Sequence, residues 1–220
     1  IARLATHLET ETNELLLPTV TVQARSSRIP LSFSQERLWF IDQLEGSTQY
    51  HIPGAIKLCG KLDVQALENS FKEIINRYEV LRTVFVEDNG GAKQQVKDVN
   101  GWKLEKKDWV LYKDDKLKPD KYINEAIKQP FNLSEDLMLR ATLLQLGTEE
   151  HLLLITMHHI ASDGWSISLI VKEIGYLYPV LVLRKSANLP PLALQYADYS
   201  ICLRAYLLGA FMECNLKIWK

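Results

Sequence analysis

The sequence predicts a mixed α/β fold, with helices packed on a sheet whose strands are not all parallel. Apolar residues recur with a helical period after Asp63, on one face of a helix: Leu67, Phe71, Ile74, Ile75 and Tyr78. Two turn sequences, Asn89-Gly90-Gly91 and Gly147-Thr148-Glu149-Glu150, each separate a pair of apolar runs and indicate hairpins. Because a hairpin joins antiparallel strands, the sheet cannot be purely parallel.

The first half of the chain carries both helical and strand patterns. Asp63 is a favourable N-cap for the helix just described, and Gly60 closes the strand before it. The predicted elements, in order, are helix Ser34–Leu44, strand His51–Leu58, the helix after Asp63, and strands Val80–Glu87 and Ala92–Val99. Residues 100–119 are rich in charge, and we expect them to be irregular or to form an edge of the sheet.

The second half repeats the alternation of helices and strands. Its predicted elements are helix Asp120–Lys128, strands Leu137–Leu146 and His151–Met157, and helices Ser166–Tyr178 and Tyr196–Leu208. Pro130 disfavours helical backbone at the residue before it, so the first of these helices ends there. Pro179 should stop or kink the next helix, because proline lacks the N–H that continues the hydrogen-bond ladder.

The N-terminal residues are predicted to stand apart from this domain. Residues 1–17 suit a short helix, and residues 18–28 are polar without a helical period and suit a linker. The main domain then covers residues 29–220. The chain starts with Ile1 and stops at Lys220 without a polar tail, so we expect it to be cut from a longer polypeptide.

The composition is that of a globular protein, and it excludes several classes of function. Its 26 basic and 27 acidic residues nearly cancel, so no bulk charge recruits nucleic acid or an anionic membrane. The 3 cysteines lack zinc-module spacing, and a reducing cytoplasmic setting is expected. The longest apolar stretch, from Trp165 to Leu183, is interrupted by Lys172 and Glu173, which favours a buried amphipathic helix over a membrane span.

A histidine pair at the end of an apolar strand is the strongest functional signal. Side chains alternate across a strand, so His158 and His159 face opposite sides and only one of them reaches a given site. Asp163 follows before a helix, where it can orient an imidazole or hold a buried arginine, and Gly164 permits a tight turn. No nucleophile motif or phosphate loop is present, which favours direct transfer between two bound substrates.

A zinc site is the alternative chemistry for these two histidines. Zinc needs further ligands at metal spacing, and the remaining histidines fit no such cluster: His7, His51 and His151. We therefore expect no metal.

The residues around the histidine pair carry a resemblance. Four segments match ordered motifs: Ser32-Phe33-Ser34-Gln35-Glu36-Arg37-Leu38-Trp39, Arg77-Tyr78-Glu79-Val80-Leu81-Arg82-Thr83-Val84-Phe85, Met157-His158-His159-Ile160-Ala161-Ser162-Asp163-Gly164-Trp165-Ser166, and Tyr196-Ala197-Asp198-Tyr199. On these motifs the sequence resembles the condensation domains of non-ribosomal peptide synthetases, over roughly residues 28–220. Tyr78 stands where the family usually has histidine, and Ala161 where isoleucine is frequent.

The resemblance implies a chloramphenicol-acetyltransferase-like lobe, one of two that face each other across a tunnel. Complete domains are about twice as long, so this chain would be the N-terminal lobe, and residues 1–17 would be the last helix of a preceding carrier-protein domain. The implied activity is peptide-bond formation between two thioesters, each held on the 4'-phosphopantetheine arm of a carrier protein. Its implied partners are donor and acceptor carrier domains, an adenylation domain and the second lobe; no cofactor is bound directly.

The resemblance also implies roles for individual residues. His159 is the catalytic residue that contacts the attacking amine, and the Gly164 N–H faces the developing oxyanion. His158 is structural, as is Asp163, whose expected partner in a buried ion pair is Arg82, with Arg77 second. Three motif aromatics are candidates for the tunnel lining, with ordinary core packing as the alternative: Trp39, Trp165 and Tyr199.

Several other interpretations compete with peptide-bond formation. An epimerisation domain of the same family shares the histidine motif, whereas heterocyclisation domains carry aspartates in place of the two histidines. The spacing of His158 and Asp163 also occurs in glycerolipid acyltransferases, which predict a membrane-facing segment that the sequence lacks. A chain holding one lobe alone is, in a further alternative, an inactive fragment that only binds carrier proteins.

Overall fold

The computed structural model describes residues 19–89, 91–110 and 117–208. The predicted N-terminal helix over residues 1–17 lies outside these ranges. Seven strands are found in the described part: β1 Ile29–Pro30, β2 His51–Cys59, β3 Thr83–Asp88, β4 Gly91–Val96, β5 Glu105–Asp108, β6 Leu139–Gln145 and β7 Glu150–His158. The helices there are α1 Phe33–Glu45, α2 Val64–Arg77, α3 Leu117–Lys128, α4 Gly164–Val182 and α5 Tyr196–Leu208.

The strands form two sheets. The smaller has the order β1-β4-β3 and is antiparallel, and the larger has the order β2-β7-β6-β5. In the larger sheet β7 is antiparallel to both β2 and β6, whereas β5 pairs with β6 in parallel. The predicted mixed α/β fold is therefore confirmed. Both predicted hairpins are present, and β5 is the edge strand within the charged stretch of residues 100–119.

The main core lies between the larger sheet and the helices α2 and α4. The helical stripe of α2 is buried there apart from the partly buried Tyr78 at its end, and Phe71, Ile74 and Ile75 are inaccessible to solvent. Its N-cap is Asp63, as predicted, whose carboxylate accepts a hydrogen bond from Ala66 N at 2.9 Å. A second cluster joins α1 to the smaller sheet and to the loop after β7, through Leu38, Phe85 and Ile160 among others.

Helix α4 differs from its prediction at both ends. It begins at Gly164 and runs to Val182, so Pro179 does not stop it. The proline lies in the last turn, where its missing N–H removes a single hydrogen bond, and its carbonyl still accepts from Leu183 N at 3.3 Å. The helix is also less buried than expected, with Ile170, Glu173 and Leu177 as its buried stripe. By length and apolar content alone it meets the criterion for a membrane span within the described residues.

Candidate active site

The two histidines lie where β7 ends and have opposite environments. His158 is the last residue of β7, pairs with His51 across the sheet and is 0% exposed. His159 is exposed, and its backbone N–H donates to Tyr50 O at 2.9 Å. The alternation of a strand therefore buries one imidazole and presents the other.

The buried imidazole of His158 is hydrogen-bonded at both ring nitrogens. Nδ1 lies 3.0 Å from Ile160 N, and Nε2 lies 2.9 Å from Ser47 Oγ. The rings of His51 and Phe131 pack against it edge-on, at centroid distances of 5.8 Å each. Burial, together with the neighbouring positive groups, lowers the pKa of His158 to about 4. His158 is therefore neutral at physiological pH.

Asp163 caps helix α4 and is exposed. Its Oδ1 accepts hydrogen bonds from Ser166 N at 2.9 Å and from the Ser166 hydroxyl at 2.7 Å. The Ser166 hydroxyl in turn accepts from Asp163 N at 3.1 Å, which completes a reciprocal capping box. These bonds from Ser166 hold the pKa of Asp163 below its ordinary value. The carboxylate is thus stabilised by its own helix and by water.

The predicted ion pair between Asp163 and an arginine is wrong. Arg82 instead donates to Lys97 O at 2.7 Å and to Asn76 O at 3.4 Å. Arg77 lies 3.3 Å from the carboxylate of Glu173 on α4 and ties α2 to that helix. The physical reason is exposure: a solvated, hydrogen-bonded carboxylate at a helix N-terminus needs no buried cation.

Gly164 is the first residue of α4, directly after the cap. A Cβ added at this position would meet nothing within 4 Å beyond its chain neighbours and the backbone of its own helix, so the space in front of it is open in this chain. The N–H groups at a helix N-terminus carry partial positive charge and favour negative groups. The positive form of His159 is among the groups that lower the pKa of Asp163, so these two side chains lie near each other. His159, Asp163 and Gly164 are all exposed, and the last two form the electropositive end of α4.

The three aromatic candidates occupy different surroundings. Trp165, in the first turn of α4, is 82% exposed. Tyr199 is partly exposed, with its ring 5.4 Å from that of Tyr196. Trp39 is half-buried and packs on the second core cluster. Of the three, Trp165 is the most exposed and directly follows Gly164 in the chain.

A large cavity of about 830 Å³ lies away from the exposed histidine. Its walls include Thr142 and Thr156, on the sheet face toward which His158 points, together with charged residues such as Arg140 and Asp136. His159 does not line it. Within the described residues no group of three or more His, Cys, Asp or Glu side chains is placed to hold a metal ion.

Comparison with known proteins assigns the family. A model of the condensation domain matches residues 25–220. The chain belongs to the condensation-domain family. Malpinin synthetase of Mortierella alpina is 37% identical over 202 residues, which is 91% of this chain and 3% of that protein. The dimodular nonribosomal peptide synthase of Bacillus subtilis (strain 168) is 36% identical over 202 residues, 91% of this chain and 8% of that protein. The motif-based resemblance is thereby confirmed.

Solved structures show the same lobe. The X-domain in the complex of the X-domain and OxyB from teicoplanin biosynthesis has a TM-score of 0.78 and 30% identity, and the match covers 87% of this chain and 41% of that one. The first condensation domain of the calcium-dependent antibiotic synthetase, in complex with a substrate analogue, has a TM-score of 0.73 at 20% identity and shows the fold alone. That match covers 84% of this chain and 45% of the solved one. The chain thus spans less than half of these two solved chains and a small part of the two synthetases.

Tyr78, at the position where the second condensation motif usually has histidine, has a structural role in this chain. Its hydroxyl donates to the Glu173 carboxylate at 2.7 Å. Burial, together with the bond to Glu173, raises the pKa of the phenol. Arg77 contacts the same carboxylate. The second motif therefore links the end of α2 to Glu173 within α4, and not to Asp163 at the start of α4.

Sequence reasoning missed two residues that touch the loop carrying the condensation motif. Gln35 is buried, and its side-chain amide donates to Ile160 O at 3.4 Å. Ser47 bonds to the ring of His158. Gln35 belongs to the first motif, and this could have indicated that it has a role near the site. Ser47 lies in no motif, and nothing in the sequence pointed to it.

Proposed function

We propose that this chain is the N-terminal lobe of a condensation domain that joins two carrier-bound substrates through a peptide bond. The donor is an acyl or peptidyl thioester and the acceptor an aminoacyl thioester, each on the phosphopantetheine arm of a carrier-protein domain. One observation carries the proposal: His159 is exposed beside the N-terminus of α4, within the family's histidine motif. The rest of the domain, and the neighbouring carrier and adenylation domains, are the proposed partners.

The chemistry follows from the ordinary acidity of the acceptor amine. A free α-amine has a pKa of about 8, so a large fraction is already neutral and nucleophilic near pH 7.5. Its nitrogen attacks the donor thioester carbon, the carbonyl π electrons move to oxygen, and a tetrahedral oxyanion forms. The C–S bond then breaks, and the donor thiol leaves with the proton that the amine loses.

In this scheme His159 orients the amine, accepts its proton as the C–N bond forms, and passes that proton to the departing thiolate as the C–S bond breaks. The backbone N–H of Gly164, at the electropositive end of α4, supports the oxyanion. His158 is unsuited to the proton transfer, because it is buried and both of its ring nitrogens are already hydrogen-bonded.

The test is His159→Ala in the complete synthetase. Single-turnover assays with both carriers loaded, read by mass spectrometry of the carrier-bound product, should show at least a hundredfold slower peptide-bond formation. The melting temperature should stay unchanged because the side chain is exposed. Undiminished product formation would overturn the proposal. If His159→Ala lost both product formation and folding, the role of His159 would be structural rather than catalytic.

A further inference from the structure

We propose that Asp42 and Ser47 are positioning residues for the transfer reaction. Asp42 orients the hydroxyl of Ser47, and Ser47 holds the ring of His158 in a single tautomer, which fixes the loop that presents His159. This inference rests on the proposed function. Neither residue reaches the exposed region beside α4. Their effect passes through a chain of hydrogen bonds that ends on the buried ring of His158.

The proton positions in this chain follow from what each group can donate. The Asp42 carboxylate only accepts, so the hydrogen bond between Asp42 and Ser47 uses the hydroxyl proton of Ser47. With its proton so engaged, the Ser47 oxygen faces His158 Nε2 with a lone pair, at 2.9 Å. Nε2 must then carry the ring proton and donate it. Nδ1 is left as an acceptor, which is what the backbone N–H of Ile160 requires at 3.0 Å.

The loop after β7 is built on His158. Ile160 N donates to its ring, whereas Ala161 N and the Ser162 hydroxyl both donate to its backbone carbonyl, each at 3.0 Å. The loop leads directly into the cap of α4 at Asp163. Reversal of the ring tautomer would place an N–H on Nδ1 against the N–H of Ile160, and the loop would have to move.

The end of helix α1 brings the two residues together. The helix stops at Glu45, and Gly46 follows with φ of 79°, a conformation that residues other than glycine rarely adopt. Gly46 N still donates to Asp42 O at 3.1 Å, which turns the chain so that the side chain of Ser47 lies beside that of Asp42. Ser47 is buried and Asp42 half-buried, so water competes little for the serine.

The central test is Ser47→Ala in the complete synthetase, with Ser47→Thr as the variant that keeps the hydroxyl. We expect Ser47→Ala to slow single-turnover transfer about tenfold, since small displacements of a positioned group are costly. The acceptor-carrier concentration at half-maximal rate should stay unchanged. Ser47→Thr should restore the rate to within about twofold, because it preserves the same acceptor and donor.

Two further variants separate positioning from general loss of stability. Asp42→Ala, at a half-buried residue, frees the Ser47 hydroxyl to donate to His158 and should slow transfer about as much as Ser47→Ala. Asp42→Ala also tests the positioning role if Ser47→Ala does not fold. Ser70→Ala is the matched control, because Ser70 is equally buried and bonds only to Ala66 O within α2. Its transfer rate should equal that of the wild type.

Each outcome distinguishes this inference from the function on which it rests. An inactive wild-type synthetase would contradict the proposed function itself. An active wild type with Asp42→Ala and Ser47→Ala both at wild-type rate would overturn the positioning role. Equal losses in Ser47→Ala, Ser47→Thr and Ser70→Ala would also overturn it, since they would trace to folding. A slower rate that the threonine restores supports it.

Discussion

His158 and His159 are neighbours in the chain, yet desolvation acts on only one of them. The burial of His158 lowers its pKa to about 4 and makes it a neutral anchor for the loop. His159 keeps its contact with solvent and remains available to a substrate. The division of roles between them follows from the two-residue period of a strand and from which face of the sheet is covered.

The Asp163 side chain is predicted to stabilise the chain as a helix cap. Asp163→Ala should lower the free energy of unfolding by about 1 kcal/mol, whereas Asp163→Asn should cost only a few tenths, because asparagine caps equally well. Equilibrium urea unfolding measures both. Asp63→Ala, at the cap of α2, is the matched control and should cost about as much as Asp163→Ala. A loss in Asp163→Asn as large as that in Asp163→Ala would contradict this role.

The sequence predicted that the two histidines face opposite sides of the strand, but it could not predict the partners of the charged residues. An arginine reaches many acceptors, and which one it meets depends on how distant elements pack. Arg77 finds Glu173 because α2 lies against α4. The contact between Ser47 and His158 could not be predicted for the same reason, since the two residues are 111 positions apart in the chain.

At the level of elements, the sequence located the helices better than their ends. Helix α4 gains its first turn from the cap at Asp163 and keeps its last turn despite Pro179. The burial of this helix was overestimated, because apolar composition does not reveal how much of a helix surface neighbouring elements cover. Its apolar residues include the exposed Trp165, Leu169 and Val171.

Two glycines of α4 give a paired prediction. At Gly164 and Gly175 an added Cβ would meet nothing within 4 Å beyond its chain neighbours and the backbone of α4, so alanine fits at both without a clash in this chain. Gly175→Ala should raise the free energy of unfolding by about 0.5–1 kcal/mol, because glycine inside a helix is entropically costly. It should leave peptide-bond formation unchanged. Gly164→Ala should slow single-turnover transfer by crowding the substrate, and equal transfer rates in the two variants would contradict this role of Gly164.

At the scale of the whole molecule, Asp198 connects segments that are far apart in sequence. It is 2% exposed, and its carboxylate accepts from Gln23 N at 2.9 Å and from Gln195 N at 2.8 Å. Arg25 lies 3.3 Å from the same carboxylate and also 3.3 Å from Glu79. The fourth motif, to which Asp198 belongs, therefore fastens the segment before β1 to the start of α5.

The loss of the Asp198 carboxylate should loosen these connections. Asp198→Ala leaves two backbone N–H groups without their acceptor, and we expect the free energy of unfolding to fall by about 3 kcal/mol. Limited proteolysis should then cut within residues 19–28 sooner than in the wild type. Asp88→Ala removes the ion pair with the largely exposed Arg28 and serves as the control, with an expected loss below about 1 kcal/mol. Similar losses in the two variants would contradict the role of Asp198.

The sequence by itself determined the local features of this protein: the mixed α/β elements, the stripe of α2, both hairpins and the histidine motif with its family. These depend on turn chemistry, residue period and short ordered motifs, which are contiguous in the chain. Tertiary structure alone decided that Asp163 is a cap, that Arg77 serves Glu173, and that Asp42 and Ser47 hold His158. The contacts of Arg77 with Glu173 and of Ser47 with His158 depend on packing between distant segments. The role of Asp163 depends on its exposure, because burial determines which charge must be paired.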